Sequence, residues 1–431
     1  LLLGLWNCAW QGAEIPGERE IRQVGNDLVA ALNQEAIDVR RFFAPGFLKE
    51  LENRQLPIND IFRSLRQSHG RAEAFRLKAV TAPYIGEVEF IYSGGVRKPA
   101  RLVLDPQPPH AIVGIEFRAA VREDDTFDQV LQDLRRLPGK AGLALRQLAP
   151  QARTLAEHEP DTPLAVASCM KLVVLAALAE EVADGRRNWA DVVRVRKDWA
   201  ALPAGLVQDW PDGSPITLHT LATLMISRSD NTAADHLIRF LGRERVQETE
   251  ARLGLTGARL NRPFLLTAEM SKLKLVLGPA EQQAYSQADA AQRSRMLDTV
   301  VARSSLARPR SLGPPRFIES IEWFYSPNDL IRVLDNLRSS SQSPTALPLL
   351  GIQRGVSVDE SDWTYVGYKG GAEPGVVALT MLLEDRRGRW FALAIGWNDT
   401  ARDVDRARLV AITQRLLHLV VRPPDQQSGQ P

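Results

Sequence analysis

The sequence is poor in the groups from which many functional sites are built. Among 431 residues there are only two cysteines, Cys8 and Cys169, so neither a disulfide framework nor a thiolate metal site is expected. The six histidines, His69, His110, His158, His219, His236 and His418, are scattered, with no His-Glu-x-x-His and no pair at helical spacing. A metal centre therefore has no ligand set to draw on, and no cofactor is expected. Charge of one sign is also lacking: 54 Lys and Arg face 52 Asp and Glu, a net charge of +2 that supplies no field for a nucleic-acid partner. Beyond the first residues no apolar run is long enough to span a bilayer, which argues against an integral membrane protein.

What is present divides into four parts. Residues 1–16 open Leu-Leu-Leu-Gly-Leu-Trp-Asn-Cys and read as the remnant of an export signal, so a periplasmic or secreted protein is expected. From 17 to 121 the apolar spacing of Ile21, Val24, Leu28, Ala31 and Leu32 predicts a helix, and 58–65 a second one. Strands are expected at 74–80, 85–92, 100–104 and 111–117, punctuated by Gly94-Gly95 and by the prolines of 106–109. This small α+β pattern resembles the curved-sheet cone domains related to nuclear transport factor 2 and steroid isomerases. It holds no convergent acid and base, so a scaffold or homodimerisation module is the expected role.

The domain boundary is expected near Arg122, and 122–421 forms the larger domain. A helix at 127–137, a strand at 141–148, a helical middle, strands at 364–368, 376–383 and 390–397 and a closing helix at 404–421 predict a sheet flanked by helices. The tail, 422–431, is Pro, Gln, Ser and Gly and is expected to be disordered.

Three elements in the larger domain could carry chemistry. Ser168-Cys-Met-Lys171 heads the apolar run 172–178; a serine and a lysine three apart on a helix share a face, so the amine can reach the hydroxyl. A lysine desolvated there and near other cations can be neutral enough to take the serine proton. Ser229-Asp230-Asn231 lies between two apolar helices at 218–227 and 232–241, where a hydroxyl and an amide two residues apart could point into one cleft. Lys369-Gly370-Gly371 follows Tyr368 at the end of a strand, offering fixed positive charge and glycines that let a substrate lie along the strand edge. Taken singly these are also a helix cap with a snorkelling lysine, a capping turn and a surface lysine. Together and in this order they are far more informative.

As a set they resemble the Ser-x-x-Lys, Ser-Asp-Asn and Lys-Thr/Ser-Gly elements of class A β-lactamases and penicillin-binding proteins over roughly 125–421. The combination with a cone-like N-terminal domain is similar to β-lactamase-like proteins of clavam biosynthesis clusters. The resemblance implies an antiparallel sheet flanked by helices with an all-helical subdomain, and a serine hydrolase that forms an acyl-enzyme on an amide or ester. Ser168 would be acylated, Lys171 would be its base, Ser229 would pass the proton to the leaving group, and Lys369 would set the field. Asn231, Gly370 and Gly371 would contact substrate, and the N–H groups of Ser168 and Ala372 would form the oxyanion hole, each such donor being worth about 3 kcal/mol.

The sequence departs from the pattern at two points. Gly370 stands in place of the hydroxyl residue that contacts a substrate carboxylate, and Glu373 follows closely. The Glu-x-x-Leu-Asn segment that serves deacylation is missing; Glu269 is the one nearby carboxylate, and after Thr267 it reads better as the first turn of a helix. A β-lactam, a cell-wall peptide and a small ester all remain open as substrates, with a catalytically silent ligand-binding protein as the reading of another class. The long helical stretch between Met270 and Pro327, with Arg308-Pro-Arg310, is expected to form a flap over the cleft, and Trp323, Phe324 and Tyr325 to pack in the core or line it.

Overall fold

A computed structural model describes residues 15–35, 37–202, 204–305 and 313–422. All but the last two residues of the expected export segment, the Arg308-Pro-Arg310 segment and the tail from 423 lie outside these described residues. The chain forms two compact units. Among the described residues, the first takes those up to Thr126 together with Ser357–Asp362 and 414–422; the second takes those within Phe127–Val356 and Trp363–Thr413.

The first unit contains helices α1 (Glu18–Leu32), α2 (Pro45–Asn53) and α3 (Ile58–His69) and strands β1 (Ala72–Ala82), β2 (Ile85–Tyr92), β3 (Val96–Leu104), β4 (Ile112–Phe117) and β5 (Val121–Arg122). The strands pair antiparallel in the order β1-β2-β3-β4, with β5 beside β3. Ile21 and Leu28 from α1 and Phe62 from α3 bury against Phe90, Leu102 and Ile112 of the sheet, so the helical stripe read from 21 to 32 is the one that closes this core. Helix α2 was not anticipated; it begins at Pro45, whose fixed φ suits a first helical position. Residues 357–362 and 414–422, assigned above to the larger domain, join this unit through charge pairs. Lys78 meets Asp359 at 2.5 Å, Arg101 meets Glu360 at 3.0 Å, and Arg415 meets Asp125 at 2.6 Å. Such long-range pairs leave no periodic trace in sequence.

The second unit begins with α4 (Phe127–Arg135), β6 (Lys140–Ala149), β7 (Arg153–His158) and β8 (Leu164–Ala165). A 3₁₀ turn, Ala167–Met170, then leads into α5 (Lys171–Ala183). The helical middle comprises the small pair β9 (Val192–Arg194) and β10 (Pro215–Thr217), then α6 (Leu218–Ser227), α7 (Asn231–Leu241), α8 (Arg243–Arg252), α9 (Thr267–Leu275), α10 (Pro279–Gln287) and α11 (Ala290–Met296). After β11 (Phe324–Tyr325), α12 (Pro327–Ser339) and α13 (Ser343–Gly351), the chain returns as β12 (Trp363–Glu373), β13 (Val376–Asp385) and β14 (Trp390–Asn398), and ends in α14 (Arg406–Val421). The antiparallel sheet runs β12-β13-β14-β6-β7, which leaves β12 as an edge. Fold and element order follow the expectation of a sheet flanked by helices with a helical subdomain, while β7 and helices α8, α12 and α13 had not been singled out.

Helix α5 is the hub of the second unit. From Lys171 to Ala179 every residue is buried, which explains why its sequence is apolar all round instead of amphipathic. It packs against α6, α7, α8 and α12, so the lysine at its head is drawn inside with it. Among the described residues no helix is long and apolar enough to cross a membrane. Leu175→Ala, at a fully buried position of α5, is expected to cost about 2–5 kcal/mol of the second unit's stability, as measured by denaturant titration.

Candidate active site

Three segments meet at the head of α5. Ser168 sits in the 3₁₀ turn that introduces the helix, and Ala167 before it has a left-handed φ of 45°. Ser229, on the tight connection between α6 and α7, has a φ of 54°. Left-handed backbone at non-glycine residues costs of order 1–3 kcal/mol and persists only where the surroundings impose it. Here both instances lie beside the hydroxyls they aim.

The fully buried Lys171 amine lies between these segments. Its Nζ is 2.6 Å from the Ser229 carbonyl, 2.7 Å from Asn231 Oδ1, 3.2 Å from Ser229 Oγ and 3.3 Å from Ser168 Oγ. Burial, and then the neighbouring Lys369 charge, hold its pKa well below that of an ordinary lysine. Lys369 approaches from β12, where its Nζ donates to Ser229 Oγ at 3.0 Å and to the Gly370 carbonyl at 2.6 Å. Burial lowers its pKa to about 8. Ser229 Oγ is thus bracketed by two amines, one on each side.

The surroundings fix this arrangement. Asp230 caps α7 by accepting from Ala233 N at 2.8 Å, and it also accepts from Leu206 N at 2.6 Å and Val207 N at 3.0 Å. One helical turn beyond Asn231, buried Asp235 accepts from Thr267 N, Thr267 Oγ1 and Ala268 N and so anchors the start of α9; burial raises its pKa to about 6. Cys169, next to Ser168, is fully buried with its thiol donating to the Lys369 and Ala378 carbonyls. Burial pushes it up to about 11, so the thiol stays protonated.

Strand β12 runs past this turn. The strand does not stop at Lys369 but continues to Glu373 with unbroken register against β13 from Tyr365 onward. A Cβ at Gly371 would lie 2.2 Å from the Val166 carbonyl and 2.7 Å from Ser168 N, so only glycine lets the strand backbone come this close. A Cβ at Gly370 would lie 2.0 Å from the Tyr368 hydroxyl. Both glycines thus stand where a Cβ would meet the protein's own atoms. The contact at Gly371 also brings Ala372, which is exposed in the cleft, close to Ser168.

The resulting cleft has about 800 Å³ of empty space open to solvent. Ser168, Asn231, Thr267, Ala372 and Glu373 line it, with Met270 and Leu275 of α9 and Trp323 forming an apolar wall. Pro314 and Arg316, from the long stretch expected to form a flap, stand at its edge, whereas Phe324 and Tyr325 are core residues. Glu269 is not among the lining residues. Its carboxylate pairs with Arg243 at 2.8 Å and accepts from Leu266 N at 2.8 Å, the bonding of a residue in the first turn of a helix.

A cluster that the sequence did not reveal stands at the far end of β12. Lys274 of α9 bonds both Glu322, at 3.1 Å, and Glu373. Burial and then the Glu322 charge hold the Glu373 carboxyl well above the usual carboxylate range, while the two glutamates outweigh burial and keep the Lys274 pKa raised. No local signal marked it, because its members are 48 and 99 residues apart.

Asp230→Ala is expected to destabilise the second unit by about 2–4 kcal/mol, since it removes a cap and leaves the Val207 N–H buried without a partner. Thermal unfolding against the wild type measures it.

Compared with known proteins, residues 125–340 match the model of the beta-lactamase enzyme family. Among solved structures, a beta-lactamase from Sphaerobacter thermophilus is 21% identical, with 69% of this chain and 98% of that chain covered and a TM-score of 0.48. A beta-lactamase from Desulfarculus baarsii is 17% identical, covering 67% and 94%, with a TM-score of 0.49. A protein described as PBP-A is 19% identical, covering 68% and 94%, with a TM-score of 0.43. No curated protein matches. The matched residues contain Ser168, Lys171 and Ser229, and Lys369 arrives from the strand beyond them. With that match spanning half of its length, the chain belongs to the beta-lactamase enzyme family.

Proposed function

We propose that this protein is a serine hydrolase in which Ser168 attacks the carbonyl of an amide or ester and carries the acyl group, with a β-lactam as the first substrate to test. The observation that carries this reading is the placement of the Lys171 amine. A neutral amine has two N–H donors and one lone pair. The Ser229 carbonyl at 2.6 Å and Asn231 Oδ1 at 2.7 Å take the two donors, which leaves the lone pair for the Ser168 hydroxyl at 3.3 Å.

Acylation then proceeds by short transfers. Lys171 accepts the Ser168 proton as Oγ bonds the carbonyl carbon, and the developing oxyanion is met by the N–H groups of Ser168 and Ala372. Ser229 Oγ, 3.2 Å from Lys171 and 3.0 Å from Lys369, passes a proton to the leaving nitrogen or oxygen and is refilled from Lys171. The Lys369 charge favours that transfer and depresses Lys171 further. Asn231, held by Lys171, presents its amide N–H₂ to the acyl side chain, and the apolar wall of Met270, Leu275 and Trp323 suits an acyl group with substantial apolar surface. Gly370, which offers no hydroxyl to a substrate carboxylate, favours neutral esters or peptides as the second class to test.

Ser168→Ala is expected to abolish turnover, and Lys171→Ala to lower it by about a hundredfold or more, without unfolding the protein. The check is intact-mass spectrometry after incubation with benzylpenicillin, a cephalosporin and p-nitrophenyl acetate. An adduct on Ser168 supports the reading; unchanged turnover in Ser168→Ala overturns it. Acylation is also expected to fall as pH drops through the lowered Lys171 pKa, because the base must be neutral. It should fall again above about 8 as Lys369 loses its charge, and rapid-quench rates across pH would show both limbs.

A further inference from the structure

Hydrolysis requires a second step, and no carboxylate touches Ser168 or Lys171 among the described hydrogen bonds. Side chains alternate along a strand, so Lys369, Gly371 and Glu373 share one face of β12. Lys369 reaches Ser229 on one side of Ser168, and Gly371 lies against the Ser168 backbone. Glu373 stands two residues, roughly 7 Å, further along the same face and lines the same cleft. The nucleophile is thus flanked by an amine and hydroxyl on one side and by a carboxyl on the other.

We propose that Glu373, with Glu322 and Lys274 behind it, is the general base that directs water onto the acyl-enzyme. The inference rests on the acyl-enzyme reading above. Glu322 is wholly buried and bonds the Trp323 N–H, Lys274 is nearly so, and Glu373 is the carboxyl of the cluster that meets the cleft. Two buried carboxyls in contact cannot both ionise easily, and they share a proton beside the ammonium. The proton rests on Glu373 below its raised pKa; as pH rises through that value Glu373 becomes a carboxylate beside the Lys274 ammonium and can accept a proton from water. In the step itself the water oxygen bonds the acyl carbon while its proton passes to Glu373. The carbon–Oγ bond then breaks and Oγ takes up the proton that Glu373 received, relayed through the cleft, which regenerates both Ser168 and the carboxylate; one water is consumed and one acid released with no redox change.

The test uses the full chain and Glu373→Gln with p-nitrophenyl acetate and benzylpenicillin. The variant is expected to acylate Ser168 at the wild-type rate and to release the acyl group about a hundredfold or more slowly, so that the adduct accumulates in intact-mass spectra. Hydroxylamine, a nucleophile that needs no general base, is expected to restore release. Equal adduct lifetimes in wild type and variant overturn the assignment of Glu373 alone, as does slow release that hydroxylamine fails to rescue. Absence of any Ser168 adduct or turnover in the wild type with both probes overturns the acyl-enzyme reading and this step with it. Should Glu373→Gln not fold, Glu322→Gln provides the second measurement. The charged groups acting on Glu373 are Glu322 and Lys274, and Arg316 lines the same cleft. Loss of the Glu322 charge is expected to lower the pH midpoint of deacylation, and an unmoved midpoint counts against the proposal.

Discussion

Lys171 enters the interior because the helix it heads is apolar on every side. Burying an amine in such a place is costly unless it becomes neutral or finds partners, and here burial is accompanied by three oxygen acceptors from Ser229 and Asn231. Much of the second unit follows from that constraint. The α6–α7 connection must present a carbonyl and an amide to the amine, Ser229 must adopt a left-handed backbone to do so, and Asp230 must hold the connection by capping α7 and binding the 206–207 backbone. The same burial that threatens stability is what holds the lysine pKa well below its ordinary value.

The second constraint is the close approach of β12 to the nucleophile turn. Gly371 permits it, Lys369 gains from it by reaching Ser229, and Ala372 is carried to the mouth of the cleft. Because β12 is an edge strand, β13 holds one side of its backbone and, among the described residues, no strand pairs with the other. Edge strands expose unpaired backbone groups as a hazard of sheet architecture, and here the exposed edge borders the site.

The two ends of the cleft differ in charge logic. Around Ser229, two amines of depressed basicity face a hydroxyl, a setting for moving protons off a nucleophile and onto a leaving group. Around Glu373, two carboxyls of a buried trio face an ammonium, a setting for accepting a proton from water. Groups pushed in opposite directions within one cleft are the arrangement on which the proposed division between acid and base rests.

Local pattern was enough for the helices that carry an amphipathic or wholly apolar stripe, such as α1, α5, α6 and α7, and for strands β2, β13 and β14. Short spacing was enough to pair Ser168 with Lys171 and Ser229 with Asn231; that these pairs and Lys369 meet, across 58 and 140 positions, was expected only from the resemblance of the three elements as a set. What sequence could not supply were relations between distant segments. The Lys274, Glu322 and Glu373 cluster, the bonding of Glu269 away from the cleft, and the attachment of 357–362 and the end of α14 to the first unit each join residues tens to hundreds of positions apart. The glycines of β12 belong to the same class: composition shows that a Cβ is missing, but only the folded chain shows that the Val166 carbonyl and the Tyr368 hydroxyl stand where it would be. Periodicity along a chain reports which face of an element is buried; the partner that buries it is chosen by tertiary packing.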